Sequence, residues 1–149
     1  MPDIHFAHTP RFRSFTEASL AHTARRSLLR IPRPELVARV VTYLHNNVGE
    51  PVTVAEMSGM AGVSERTLRA AFRDVVGLSP KQFAISERLR AAHDALRTAD
   101  PKTTTVTDVA MAYGFFELGR FAGRYRHAFG EAPSRTLRHA AASWPEQAA

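Results

Sequence analysis

Apolar residues along this chain recur at helical spacing, with almost no alternation of the kind that marks strands. Leu36, Val37, Val40, Val41 and Leu44 form one stripe between Pro34 and Asn46, with Pro34 suited to a first helical turn. Leu68, Phe72 and Val76 form a second stripe, and Phe83, Leu89, Ala92 and Leu96 face inward along a helix from Pro80 to about Thr98. Leu118, Phe121, Tyr125 and Phe129 form another. The helix starts are written in polar residues. Thr53-x-x-Glu56 and Thr105-x-x-Asp108 place a hydroxyl where it can satisfy an orphan amide and an acid at the positive helix end. Ser79-Pro80-Lys81-Gln82 combines a cap, a proline at the first helical position and a glutamine three residues after the cap. The expectation is an all-α protein.

The same order of features occurs twice. At one constant shift, Thr53, Val54, Glu56, Gly62 and Val63 fall on Thr105, Val106, Asp108, Gly114 and Phe115. One residue further along, Leu68, Phe72, Arg73, Val76, Gly77 and Pro80 fall on Phe121, Tyr125, Arg126, Phe129, Gly130 and Pro133. The second turn therefore holds one residue more than the first. Each copy reads as a short capped helix, a glycine turn, a longer helix, a terminating glycine and a proline that opens the next helix. That is the helix-turn-helix plan, expected over about 53–77 and about 105–130, with a linker helix over about 80–98. Ser64 is the expected cap of the first long helix.

Outside the repeats, residues 1–33 read as a basic arm or the remnant of a preceding domain. A helix is plausible there from Thr16 to Arg30, ended by Ile31-Pro32-Arg33-Pro34. The domain proper is expected over 34–141, and residues 142–149 as a fraying tail.

Composition narrows the chemistry. The chain has 149 residues, 44% of them hydrophobic, which supports a real core. It has no cysteine, which removes disulfides, cysteine zinc sites and thiol nucleophiles together. No apolar run approaches membrane-spanning length or resembles a signal peptide, so a cytoplasmic setting is expected. The formal net charge is +6, and of the basic residues only Lys81 and Lys102 are lysine. Such an excess attracts polyanions, although a genome rich in arginine codons produces the same bias. No nucleophile–base pair, phosphate loop or clustered metal ligands are visible, so neither enzyme activity nor a cofactor is expected.

Within this frame the segments VSERTLRAAFRDVVGLSPKQFAISERL and VTDVAMAYGFFELGRFAGRYRHAFGEAPSRTLR carry a specific resemblance. Residues 34–139 resemble the DNA-binding domain of AraC/XylS-type bacterial transcription regulators. The Gly-Phe pair, the aromatic-spaced helix and the closing Phe-Gly-x-x-Pro-Ser match that family's signature. The resemblance implies seven helices, in two homeodomain-like helix-turn-helix subdomains joined by a long linker helix. It also implies double-stranded DNA as partner, one recognition helix in each of two successive major grooves, and contact with RNA polymerase. A nucleoid-associated cytoplasmic location follows, with no membrane partner and no small-molecule ligand for this chain. Family members usually carry a sensing or dimerisation domain ahead of this one, for which 33 residues are too few.

Docking of a helix-turn-helix puts N-terminal residues of the recognition helix on base edges. The base-reading candidates are therefore Arg66 and Arg69 in the first copy, and Leu118, Gly119, Arg120, Gly123 and Arg124 in the second. Leu118 thus stands both on the apolar stripe and among the readers. Ser64, Thr67, Lys81 and Arg135 lie near helix N-termini, where amides and charge meet phosphates, and Arg73 lies further down the first helix; these five are phosphate candidates. His127 follows Arg124 on the same side, and Arg126 matches Arg73 as a possible internal brace. Glu65 and Glu117 favour the positive helix end or accept from cytosine. Where the family commonly has arginine, this chain has Ala70 and Gly123, with Arg69 and Arg124 one place away. That departure keeps a second reading open, a helical protein-interaction module that has lost specific DNA readout.

Overall fold

The computed structural model describes residues 31–143. The helix expected over 16–30 and nearly all of the expected arm lie outside them, as does the tail from residue 144. From Arg33 onward the described residues belong to one compact unit. Its helices are α1 (Arg33–Asn46), α2 (Val54–Ala61), α3 (Glu65–Val75), α4 (Pro80–Thr98), α5 (Val106–Ala112), α6 (Leu118–Phe129) and α7 (Pro133–Ser143). Among the described residues there is no strand.

Local chemistry sets the starts of α2, α4 and α5. The Glu56 carboxylate accepts the Thr53 N–H at 2.7 Å, while Thr53 Oγ1 accepts the Glu56 N–H at 3.2 Å. Thr105 and Asp108 repeat the arrangement at 2.9 and 3.1 Å, as do Ser79 and Gln82 at 3.0 and 3.2 Å. The hydroxyl and amide of the threonine hold the Glu56 and Asp108 carboxyls below their usual pKa. A cap contributes about 1 kcal/mol, and α2 and α5 need it. With 8 and 7 residues they are well short of the roughly 12–15 that an isolated helix requires.

Both turns begin alike. Gly62 (φ 67°) and Gly114 (φ 71°) take the left-handed conformation, which a side chain would oppose. The residue after each returns its amide to a carbonyl five places back: Val63 to Ser58 at 3.1 Å, Phe115 to Ala110 at 2.8 Å. Beyond that point the copies diverge. Ser64 follows at once and caps α3 by accepting the Thr67 N–H at 3.1 Å. In the second copy Phe116 intervenes, and Glu117 then takes the cap position of α6 without a side-chain cap bond.

The helices enclose two cores with one shared wall. Leu36, Val37, Val40 and Leu44 of α1 are buried, as are Met57 and Ala61 of α2 and Leu68, Ala71 and Phe72 of α3; α1 packs on both of its partners. The second core joins Leu89, Ala92 and Leu96 of α4 to Val109, Ala110, Phe115, Phe121, Tyr125 and Leu137. Helix α4 belongs to both. Its first turns rest on α1 and α3, with Phe83 edge-on to Phe72 at 5.6 Å between ring centres, and its later turns on α5 and α7. At 19 residues it is about 28 Å long. The Glu87 carboxylate adds a surface tie, meeting His45 of α1 at 2.5 Å and Arg90 at 2.6 Å.

Two glycines separate backbone demand from open space. A Cβ on Gly114 would sit 3.2 Å from the Gly49 carbonyl oxygen and from Pro51, in a left-handed backbone as well. A Cβ on Gly123, inside α6, would meet nothing within 4 Å. Gly114→Ala is expected to destabilise the fold by about 1–3 kcal/mol. Gly123→Ala is expected to stabilise it by up to about 1 kcal/mol through helix propensity. Urea unfolding of both variants beside wild type checks the opposite signs.

Candidate nucleic-acid interface

Helix α3 is held from behind by Leu68, Ala71 and Phe72, which leaves Arg66, Arg69 and Arg73 exposed on its outer surface. They are not equally free. Arg69 Nη2 donates to Glu65 Oε2 at 2.6 Å, whereas Arg66 has no ion pair among the described residues. Ser64 and Thr67 share a hydroxyl–hydroxyl bond of 2.9 Å, so both phosphate candidates are partly occupied by capping.

Helix α6 presents Leu118, Gly119, Arg120, Gly123 and Arg124 outward, with His127 following. Arg120 donates to Glu117 at 3.1 Å, an exposed pair. Two sequence expectations change here. Leu118 does not join the packing stripe and is 39% exposed. Phe115 from the turn takes that place instead, 5.0 Å from Phe121 between ring centres. Arg126 is exposed and makes no ion pair among the described residues, so it is not an internal brace there.

The back of α6 is fixed by a one-way chain of hydrogen bonds. An ionised Glu131 can only accept, so Thr136 Oγ1 donates to it at 2.6 Å. Thr136 then accepts from the Tyr125 hydroxyl at 2.9 Å. The Tyr125 oxygen in turn accepts from Nδ1 of His93 at 2.7 Å, which places the imidazole proton on that nitrogen. Phe129 stacks on the His93 ring at 4.1 Å. The chain ties α4, α6 and α7 together behind the recognition helix. Burial raises the Tyr125 phenol above its usual pKa, and the Thr136 bond holds the Glu131 carboxyl below its own.

Three hollows bring the candidates together. One of about 510 Å³ gathers Thr53, Glu65, Arg69, Lys81 and Arg88 between α3 and α4. A second of about 580 Å³ is formed by Leu78, Gln82, Ile85, Gly123, Arg124 and His127. A small one of about 140 Å³ joins Phe116, Glu117, Arg120 and Arg124, again with Arg88. Arg88, which sequence reasoning missed, thus borders hollows on both recognition helices. Its Nη1 donates to the carbonyls of Tyr113 at 3.4 Å and Gly114 at 3.2 Å, and its guanidinium lies 4.9 Å from the Phe115 ring centre. Burial, and then the charge of Arg124, lower its pKa. An arginine between the inward positions Ile85 and Leu89 was the available signal. Arg73 and Arg135 line none of these hollows; Arg135 lies at the start of α7, 3.6 Å from Glu131.

Against this geometry the comparisons are specific. A family model for a helix-turn-helix domain matches residues 57–139. The structure of a probable AraC family transcriptional regulator from Rhodopseudomonas palustris is 40% identical, covers 70% of this chain and 96% of that one, and gives a TM-score of 0.65. The chain belongs to the AraC/XylS family. The AraC-type fold is also that of the DNA-binding domain of AdpA, solved with a target DNA, at 28% identity and a TM-score of 0.65, over 73% of this chain and 96% of that one. A probable thc operon regulatory protein from Rhodococcus erythropolis is 41% identical over 70% of this chain, and a XylDLEGF operon transcriptional activator from Pseudomonas putida 34% identical over 73%. The matched segment spans only about a third of those two proteins (32% and 34%). AraC/XylS proteins are transcription regulators, not enzymes. Among the described residues no helix is long and apolar enough to cross a membrane, and no group of three or more His, Asp or Glu could hold a metal ion.

The hydrogen-bond chain behind α6 gives a test of how it is held. Thr136→Val keeps the shape but leaves the Tyr125 hydroxyl without its acceptor, a loss of about 1–3 kcal/mol. Because the Glu131 pKa is depressed on folding, its contribution is complete above the ordinary glutamate range and is lost as pH falls through its folded value. Thermal unfolding of Thr136→Val across that acid range is expected to show a shallower pH dependence than wild type.

Proposed function

We propose that this chain is a sequence-specific, double-stranded DNA-binding transcription regulator that reads two successive major grooves with α3 and α6. The observation that carries the reading is the pair of outward arginine faces, Arg66 with Arg69 and Arg120 with Arg124, on two repeats fixed to one helix. Arg69 and Arg120 are held only in exposed pairs and Arg66 and Arg124 in no ion pair among the described residues, whereas arginine forks match the guanine edge in a major groove. The length of α4, about 28 Å, is close to the roughly 34 Å between successive grooves on one DNA face. Leu118, Gly119 and Gly123 accompany Arg120 and Arg124 at the second groove, while Ser64, Thr67, Arg73, Lys81 and Arg135 take phosphates. AdpA, whose DNA-binding domain was solved on a target DNA, supports the assignment by similarity.

The target is an asymmetric site whose halves lie about one turn apart, as two unequal readers on one chain require. The domain is assigned to residues 34–141, with residues 1–33 as a basic arm or the remnant of a preceding domain. RNA polymerase is the protein partner, and the chain acts in the cytoplasm at the nucleoid. Membership of a regulator family disfavours the alternative of a DNA-blind interaction module.

Selection of duplexes from a random pool by the purified chain tests the reading directly. A site with two dissimilar halves is expected, and failure to enrich any site would return the interaction module to first place. On the selected site, Arg66→Ala with Arg69→Ala is expected to remove about 1–3 kcal/mol per lost base contact and to relax the first half-site only. Lys81→Ala is expected to weaken all sequences alike and to reduce the salt slope by about one. Gly123→Leu is expected to weaken specific binding while leaving unfolding unchanged or improved, since the space beside Gly123 is empty in the free protein.

A further inference from the structure

The residue by which the second turn exceeds the first is Phe116. Both turns share two reference points: the left-handed glycine with its successor's amide bonded five places back, and the cap position of the following helix. In the first copy Val63 and Ser64, which hold these roles, are adjacent. In the second, Phe115 and Glu117 hold them, and Phe116 stands between without a counterpart. Phe115 enters the core, at 5% exposure, so the insertion is not needed to fill it. Phe116 is 68% exposed, the most exposed of the large hydrophobic residues described.

An aromatic ring in water forgoes the burial that most of its kind obtain, so its placement is informative. Phe116 shares one small hollow with Arg120 and Arg124, and Leu118, at the first position of α6, is also exposed. The ring therefore projects from the N-terminal end of a recognition helix, continuous with its cationic face. That end is the part of a helix-turn-helix that reaches base edges. In the major groove the apolar feature available to a phenylalanine is the 5-methyl group of thymine.

Resting on the DNA-binding reading above, we infer that Phe116 is a specificity-determining residue that contacts the thymine methyl groups of the second half-site. Arg120 and Arg124 draw the phosphates and guanine edges of that half-site alongside it. The second copy then reads a hydrophobic element with a ring that has no counterpart in the first copy.

The experiment uses the full chain and its selected duplex, with each thymine replaced in turn by deoxyuracil, which removes the methyl and nothing else. Wild type is expected to lose about fourfold in affinity at one or two second-half positions, the change for one buried methyl-sized group. Phe116→Ala is expected to bind the unmodified site more weakly and to be indifferent to deoxyuracil at those positions. Phe116→Leu is expected to keep part of that sensitivity. Because the ring is exposed, both variants are expected to unfold as wild type does. A wild-type scan that is flat throughout the second half overturns the assignment. So does a Phe116→Ala scan that matches wild type. A variant that keeps affinity and scan but loses transcription activation shows that the ring serves a protein partner, which also overturns it. If no duplex can be selected at all, the DNA-binding reading itself fails, an outcome distinct from a selected site with a flat methyl scan.

Discussion

Everything in this fold depends on one helix being a wall of two cores at once. Helix α4 gives Phe83 and Ala84 to the packing around α3 and Leu89, Ala92 and Leu96 to the packing around α6. An α-helix of this length does not kink sharply without a proline, an inserted bulge or a broken ladder. Past its first residue, α4 has no proline. Rotating one subdomain against the other would therefore open a core or break the helix. Arg88 reinforces the connection, since its donors reach the carbonyls of the second turn from the middle of α4. The separation of α3 and α6 is thus a property of covalent geometry and packing, present before any partner arrives.

The charges on the outer faces are held more loosely. Glu65 with Arg69 and Glu117 with Arg120 are exposed pairs, worth about 0–1 kcal/mol each. A phosphate or a guanine edge that engages either arginine gives up little. The carboxylates also lower the positive charge that each helix shows to solvent in the free protein. They act as placeholders, keeping the side chains extended over the surface where a better acceptor would be met. The buried side of α6 is the reverse case, because the links from His93 to Glu131 are short and the Tyr125 ring at their centre has no solvent exposure.

The elements were legible in sequence because their signals are local. Thr53, Ser79 and Thr105 announce the helix starts by spacing alone, and Gly62 and Gly114 announce the turns. The repeat supplied the architecture, since a glycine or an aromatic seen twice in register has one structural meaning. What sequence could not show were relations across the fold. Leu118 has the right spacing for a stripe that begins at Phe121, yet only packing decides that Phe115 fills the position. Arg126 aligns with Arg73 as a repeat partner, but alignment says nothing of depth. Arg88 and His93 carry no local signal, because the carbonyls that Arg88 serves lie 25 and 26 residues away and the phenol that His93 serves lies 32 away. The outer positions on α3 and α6 stand out as a group in sequence, while Glu65 and Glu117 read there as helix-end charges or cytosine acceptors and not as partners of Arg69 and Arg120.

The two turns share a backbone solution but little side-chain content. Each is set by a left-handed glycine and a main-chain hydrogen bond, features that are indifferent to what the following helix displays. A mutation on the outer face of α6 therefore leaves the way α6 is mounted untouched, and the same holds for α3. The molecule behaves as a mount with two exchangeable faces, so the vocabulary of one half can drift while the other keeps its meaning. For a duplicated unit, this is the condition under which copies diverge without passing through an unfolded ancestor.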